Sequence, residues 1–409
     1  MKTLLTVTVL LVLFITLPSS ATSVYSCSAK LPTQLDFGIL FATNASVWQK
    51  NCLVPNPSLY DPTKPTVIFV HGLAPAAVGG PLDGYFGHQE GFHELIAPWR
   101  QLGFNVALFN WTQFADEPLT NFIRAEDKIY DPHSYSQMQF AFLTDSGKVS
   151  VGDGPAIPVS RLLADAVIEL KLSGPVWLVG HSLGSQLVTR AAVLLTDDGY
   201  EVQRVTLLDP VFSDVVKSYV QHRQQENHYC GHDLSETLGC ELQFLQASGV
   251  ATELYRSSFI NRCIFSADDN TPIVQHAAST AVKLNGKGSQ REGYCWNADL
   301  LSHPSLAKVD KLAQQLVYQH THIVDWFIAS KFSPTVPKIC IPVSPTECRA
   351  TKSPALSAAM SAKEVMRWSI RKDEGSRLCF VQWNDATATL NLSPSDDLFE
   401  VRKCDSFTT

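Results

Sequence analysis

Ser182 stands in Gly180-His181-Ser182-Leu183-Gly184, between an apolar run, Val176 to Val179, and a stretch of helical periodicity. A serine hydroxyl is a weak nucleophile near neutral pH. It becomes reactive when a base within hydrogen-bond reach takes its proton and an acid orients that base. A sharp strand-to-helix turn holds such a serine exposed, and glycines on either side let backbone segments approach closely at the bend. The first N–H groups of the following helix favour a developing oxyanion at the same spot. The chemistry this pattern offers is nucleophilic acyl transfer.

On this kind of turn the acid follows the serine in the chain and the histidine follows the acid. Two aspartates satisfy that order. Asp209 ends the run Arg204-Val-Thr-Leu-Leu-Asp209, and Asp269 follows another apolar run in Cys263-Ile-Phe-Ser-Ala-Asp-Asp269. Catalytic groups collect at the carboxyl ends of parallel strands, so either position suits an acid. An Asp before Pro210 equally suits a turn. Four histidines follow Asp269, namely His276, His303, His320 and His322. The last two precede an amphipathic helical pattern, Ile323 to Phe332, whose entry loop could return to the serine. From the residues alone, the acid and the base both stay open.

The elements that must position these groups are legible as alternating patterns. Pro65–Val70, Phe104–Phe109, Pro175–Val179 and Val205–Leu208 are short runs, apolar nearly throughout, each ending at turn residues. Such runs suit a parallel sheet buried on both faces. Helical patterns lie between them at Phe92–Leu102, Val159–Lys171 and Ser185–Leu195. The alternation predicts an α/β fold, with one mostly parallel central sheet and helices on both faces. Two stretches break it and read as insertions. Asp116–Pro158 contains a hairpin-like segment, Phe140 to Gly152, and Asp214–Ser258 is polar with Cys230 and Cys240. Past about residue 334 the composition shifts towards Pro, Ser and Thr, and residues 336–409 read as a small cysteine-containing extension with strand-like pieces such as Leu378–Trp383.

Bulk properties narrow the classes. The chain has 409 residues, 45% hydrophobic and 17% charged, with a formal net charge of -7. That balance gives a nucleic-acid role no electrostatic support. Lys2, the apolar run Leu4–Leu17 and the small residues after it read as a secretory signal peptide over residues 1–23. The run is shorter than the roughly 20 residues a membrane-spanning helix needs, so no transmembrane segment is expected after cleavage. An even count of ten cysteines behind a signal peptide predicts disulfides in an oxidising compartment, with Cys340–Cys348 the foremost pair. Glycosylation sequons begin at Asn44, Asn110 and Asn391. The one at Asn110 follows a predicted core strand and is the least suited of the three to carry a glycan. His88/His93 and His228/His232 have ligand-like spacing but no complete donor set, so neither metal nor organic cofactor is expected.

With these residues in place, the sequence resembles the pancreatic lipase family of α/β-hydrolases, which holds triacylglycerol lipases, phospholipases A1 and inactive yolk proteins. Residues 65–74, "PTVIFVHGLA", look like the family's strand and oxyanion turn. Residues 104–111, "FNVALFNW", resemble its next strand, and 179–187, "VGHSLGSQL", its nucleophile turn. "LLDPVF", 207–212, is similar to a segment whose aspartate is catalytic. "LNGKGSQREGYC", 284–295, resembles the stretch ahead of the lid. "HTHIVDWFIAS", 320–330, resembles the catalytic-histidine segment.

The resemblance implies an α/β-hydrolase fold over residues 24–335 and a triad of Ser182, Asp209 and His320. His322 then takes a position that is usually arginine and is the alternative base, with Asp269 the alternative acid. Backbone N–H groups of Leu73 and Leu183 would form the oxyanion hole. The implied activity is a secreted lipase or phospholipase A1 meeting its lipid ester at a membrane, micelle or droplet interface. Two other readings stay open, a non-catalytic lipid-binding or storage protein and a soluble-ester hydrolase using Asp269. The sequence departs from the family where Tyr318 replaces a cysteine usually bonded to the equivalent of Cys295. The lid, Trp296–Gln319, is therefore expected to lack its disulfide.

Overall fold

The computed structural model describes residues 32–42, 48–50, 59–79, 99–118, 121–133, 137–213, 230, 233–257, 273, 276–283, 320–321, 323–324, 327–328, 338–344, 347–352, 361–363, 365, 378–382 and 398–403. The expected signal peptide, the sequons at Asn44 and Asn391, and the expected lid lie outside the described residues.

In chain order the elements are β1 (Gly38–Ala42), β2 (Trp48–Lys50), β3 (Thr66–Val70), β4 (Asn105–Asn110), α1 (Thr112–Ala115), α2 (Ile123–Tyr130), β5 (Gln139–Leu143), β6 (Val149–Asp153), α3 (Val159–Glu169), β7 (Val176–His181), α4 (Leu183–Asp197), β8 (Val202–Leu208), α5 (Leu234–Ala247), β9 (Ala251–Arg256), β10 (Ala278–Lys283), β11 (Lys338–Ser344), β12 (Glu347–Lys352), β13 (Leu378–Gln382) and β14 (Leu398–Lys403). Twelve of the strands form one sheet in the order β12-β11-β14-β13-β10-β9-β8-β7-β3-β4-β1-β2. Its middle, from β4 through β13, is parallel, and antiparallel pairs flank it on both sides. The chain is thus an α/β protein built on a mostly parallel central sheet. The four apolar runs of the sequence are β3, β4, β7 and β8, side by side at its centre.

Alternation along these strands sorts the core into two layers. Ile68, Val70, Ala107, Phe109, Val176, Leu178, Val205, Leu207 and Leu254 face one way, into the cluster that also takes in α3, α4 and α5. The central helix α4 is buried on nearly every side, from Leu183 to Val193. Phe69, Trp177 and Tyr255 face the other way. Trp99 packs edge-on to Phe69 with centroids 5.8 Å apart, and Phe327 packs edge-on to Trp177 at 5.8 Å and to Tyr255 at 5.3 Å. Trp99 and Phe327 are themselves in helical backbone, so helices cover both faces.

One expectation is corrected. The stretch Asp214–Ser258 does not break the α/β alternation in its described part. It forms α5 and then β9, which pairs parallel with β8. It read as an insertion because its charges are paired inside the protein. Glu253 on β9 binds Arg204 on β8 through two hydrogen bonds of 2.9 and 2.6 Å, and Thr206 and Tyr255 also donate to its carboxylate. Glu241 on α5 pairs with Arg190 on α4 at 3.1 Å. Composition counts such residues as surface, whereas a buried charge is tolerated when paired and hydrogen-bonded. Asp233 starts α5 as an N-cap, its carboxylate accepting from the Glu236 N–H at 2.8 Å. Cys230 and Cys240 form a disulfide that ties the preceding chain to this helix.

The first interruption does contain the expected hairpin, β5 paired antiparallel with β6 as a separate two-stranded sheet, together with α2. Past residue 336, β11 to β14 extend the main sheet through β13 and β10. The strands carrying Cys340 and Cys348 pair antiparallel, but those two side chains lie outside the described residues. Asn110 ends β4 and is only 5% exposed. Among the described residues no helix is long and apolar enough to cross a membrane.

Candidate active site

Ser182 is the residue between β7 and α4. Its backbone has φ 56° and ψ -125°, a conformation an L residue adopts only when the surroundings enforce it. The enforcement is visible in the two glycines. A Cβ on Gly180 would strike the Gly184 carbonyl, and a Cβ on Gly184 would strike the carbonyls of Val70 and His71. Helix α4 therefore starts hard against the ends of β7 and β3, and the chain must turn left at the serine to enter it. The Ser182 N–H donates to the Leu208 carbonyl at 3.0 Å, fixing the turn to β8. Only 6% of Ser182 is exposed.

The register of β7 with β8 ends at His181 opposite Leu208. The next residue on each strand is Ser182 and Asp209, so the two leave the sheet side by side. Asp209 also has positive φ, 45°. Its N–H donates to the Tyr255 carbonyl at 2.7 Å, and its Oδ1 accepts from the Ser257 N–H at 3.0 Å. Its Oδ2 meets His320 Nδ1 at 2.6 Å. This is the separation of a charge-assisted hydrogen bond, and both partners are buried. A carboxylate can only accept, so Nδ1 carries a proton, and in the neutral imidazole Nε2 is left with the lone pair.

His181 completes the setting of the imidazole. Its ring lies 4.6 Å from that of His320, and its Nε2 sits 2.7 Å from the His320 carbonyl oxygen. It is the residue immediately before Ser182, so the segment of His320 is held against the chain that enters the turn. Burial holds the His181 imidazole down to a pKa of about 3, with the neighbouring His320 pushing the same way. His181 is therefore neutral across the physiological range.

The third wall is the loop after β3. A Cβ on Gly72 would overlap Ser182 Cβ and lie 2.9 Å from its Oγ, so the loop touches the Ser182 side chain and only glycine fits. His71 Nδ1 donates to the Gly72 carbonyl at 2.9 Å, and Trp111 Nε1 donates to the His71 carbonyl at 2.8 Å while its ring stacks on His71. Burial lowers the His71 pKa to about 4, partly offset by the Gly72 bond. Leu73 follows Gly72 at once and is half-buried. Leu183 is the first residue of α4, where the backbone N–H has no intrahelical acceptor.

Of the expected site residues, the structure bonds Asp209 to His320 and sets Ser182 level with Asp209 at the ends of β7 and β8, with Leu73 and Leu183 next in the chain to the glycine and the serine at that turn. Asp269 and His322 lie outside the described residues. Sequence reasoning passed over three groups that set the site, namely the Ser257 N–H, the Tyr255 carbonyl and the His181 side chain. The first two were hidden with β9. For the third, nothing local in Gly-His-Ser-Leu-Gly says that its ring turns towards residue 320. Among the described residues no group of three or more His, Cys, Asp or Glu could hold a metal ion.

A mostly parallel sheet with a serine on a sharp strand-to-helix turn after β7, and an aspartate at the end of β8 hydrogen-bonded to a histidine, is the architecture of an α/β-hydrolase fold. No protein-family model matches the chain, and no curated protein matches it. Solved structures overlap it loosely. A lidless α/β serine hydrolase of Xanthomonas campestris shares 16% identity over 45% of this chain, with a TM-score of 0.22, and the chain spans 64% of that protein. A poly(3-hydroxybutyrate) depolymerase of Bordetella parapertussis shares 12% identity over 66% of this chain and 79% of its own, with a TM-score of 0.29. A lipase-esterase related protein of Clostridium acetobutylicum shares 12% identity over 68% of this chain and 98% of its own, with a TM-score of 0.28. The functional reading therefore rests on this chain's own residues.

Proposed function

We propose that the protein is a secreted serine carboxyl-ester hydrolase acting on lipid esters, by an acyl-enzyme mechanism that uses Ser182, His320 and Asp209. The observation that carries this reading is the 2.6 Å bond from Asp209 to His320 Nδ1, made beside a serine on a strained strand-to-helix turn. Asp209 fixes the tautomer, leaving the Nε2 lone pair to accept the Ser182 proton as Oγ attacks the ester carbonyl. The imidazolium that forms is stabilised by the carboxylate and later protonates the leaving alcohol. Water then repeats the sequence and releases the acid. Backbone N–H groups of Leu73 and Leu183 receive the oxyanion of each tetrahedral intermediate. This chemistry draws on no metal and no organic cofactor.

The lipid substrate, a triacylglycerol or a phospholipid met at an interface, is the finer part of the proposal. It follows from the motif resemblance to pancreatic lipases, as export follows from the N-terminal signal pattern. The test is hydrolysis by the secreted protein of triglyceride dispersions, phospholipid vesicles and short p-nitrophenyl esters, beside Ser182→Ala. Ester cleavage that Ser182→Ala abolishes, with a rate jump when substrate forms an interface, is the expected result. Cleavage of soluble esters without that jump removes the lipid assignment. A folded protein that binds lipid and cleaves no ester removes the enzyme altogether.

A further inference from the structure

We infer that His181 is a positioning residue for His320, holding the base by its backbone while Asp209 holds it by its ring. The inference rests on the hydrolase reading above and adds to it a group outside the triad. Three observations carry it. His181 Nε2 lies 2.7 Å from the His320 carbonyl, which can only accept, so Nε2 bears the proton and donates it. The two rings lie 4.6 Å apart. The remaining nitrogen, His181 Nδ1, is buried and has no hydrogen-bond partner among the described residues.

The last point separates positioning from packing. A buried acceptor left unpaired costs stability, and an apolar side chain of similar size at residue 181 would avoid that cost. The imidazole is thus a poor choice for the core around it. What it supplies is a donor aimed at the backbone of residue 320. An imidazole fixed only through its ring can still shift bodily, and a shift of 1 Å at a reacting centre costs on the order of 100-fold in rate. Asp209 sets which nitrogen of His320 carries the proton, and His181 sets where the ring stands. His181 suits this second task because it remains neutral. A cation there would lie against the imidazolium that forms on His320 during attack.

The experiment compares His181→Gln with His181→Met in the full-length secreted protein. The two side chains have similar length, and only glutamine places an N–H donor near the former Nε2. For a short p-nitrophenyl ester, the Met variant is expected to lose about 100-fold in kcat with KM within twofold, and the Gln variant to stay within tenfold of the parent protein. In proton NMR the downfield signal of the His320 Nδ1–H proton, bound to Asp209, is expected to broaden or vanish in the Met variant and to persist in the Gln variant. Equal kcat for Met and parent would overturn the inference. So would equal losses in Gln and Met, tracking a common fall in melting temperature, since packing alone would then explain them. If the parent protein shows no Ser182-dependent hydrolysis, the hydrolase reading fails. The NMR comparison still decides the positioning role, because it reads the His320–Asp209 bond without turnover.

Discussion

Replacing Asp209 by asparagine tests the site through a single atom. The side chain keeps its shape but exchanges one acceptor for an NH2 donor. Its environment then dictates which way the amide turns. Ser257 presents an N–H at 3.0 Å from Oδ1, so the amide oxygen must stay on that side. The NH2 is forced to the position of Oδ2, 2.6 Å from His320 Nδ1. Two donors cannot face each other at that distance, so Nδ1 gives up its proton and accepts. The imidazole then carries its proton on Nε2, where the lone pair for the Ser182 hydroxyl is needed. In a serine protease triad the same substitution with the same tautomer fault lowers kcat by about 10⁴-fold. At 1.36 kcal/mol for each factor of ten, that is about 5 kcal/mol of transition-state stabilisation. The assay is steady-state hydrolysis of a p-nitrophenyl ester by Asp209→Asn, with Asp269→Asn alongside. The expected outcome is a fall of about 10³- to 10⁴-fold in kcat for the first, and activity within twofold for the second. Asp209→Asn within tenfold of the parent, or a large loss confined to Asp269→Asn, would refute the assignment of the acid.

Three further outcomes follow from the same geometry. His71 and His181, held at about 4 and about 3, stay neutral in the folded protein below the ordinary histidine pKa, where the unfolded chain takes up protons. Their contribution is complete above pH ~6.5 and is lost as the pH falls from there, by about 1.4 kcal/mol per pH unit for each histidine. Urea unfolding between pH 6.5 and 4.5 should show a steep decline that His181→Gln makes shallower, and a flat profile would contradict the burial argument. Glu253→Gln strands Arg204 in the sheet and is expected to cost about 3–5 kcal/mol in urea unfolding. Removing both partners, Arg204→Met with Glu253→Met, should cost less than Glu253→Gln alone, and a larger loss would mean the pair is net stabilising. Ser182→Gly should abolish hydrolysis yet raise stability by about 1 kcal/mol, because glycine relieves the positive φ at the turn. A lowered urea midpoint would show that the turn stores no strain.

The parts of this fold that could be read from the sequence are those whose chemistry matches their surroundings. β3, β4, β7 and β8 are apolar on both faces because both faces are covered, and such runs can hardly be mistaken for surface. Ser182 was legible because glycine at 180 and 184 has no other good reason to flank a serine between a strand and a helix. The unit α5–β9 was not legible, and the reason is physical. Its Glu241 and Glu253 are buried in pairs with Arg190 and Arg204, and pairing is a property of three-dimensional neighbours that composition does not carry. The available signal was the short run Val250–Tyr255, strand-like but for the charge at Glu253. The choice of Asp209 over Asp269 needed the family resemblance, since both follow apolar runs. The seat of His181 against the backbone of His320 joins positions 139 residues apart and left no local trace.

The same register that aligns Ser182 with Asp209 explains why both bend out of the sheet in the same unusual sense. In a parallel pair the residues that follow matched positions stay level, so the serine and the acid emerge as neighbours although 27 positions separate them in sequence. Neither continues as strand: Ser182 turns into α4 against the close-packed Gly180 and Gly184, and Asp209 turns its carboxylate to the His320 imidazole. Positive φ at both positions, 56° and 45°, is the backbone cost of those two turns. It is met by bonds from outside the pair. The Leu208 carbonyl holds Ser182, and the Tyr255 carbonyl with the Ser257 N–H holds Asp209. Each anchor comes from the next strand along, β8 for the serine and β9 for the acid, so the site depends on three consecutive strands keeping register. The buried Arg204–Glu253 pair locks β8 to β9 one layer below that rim. A slip of β9 by one residue would turn Glu253 to the opposite face from Arg204 and strand both charges, so the pair penalises any alignment but the one in which the Tyr255 carbonyl and Ser257 N–H reach Asp209.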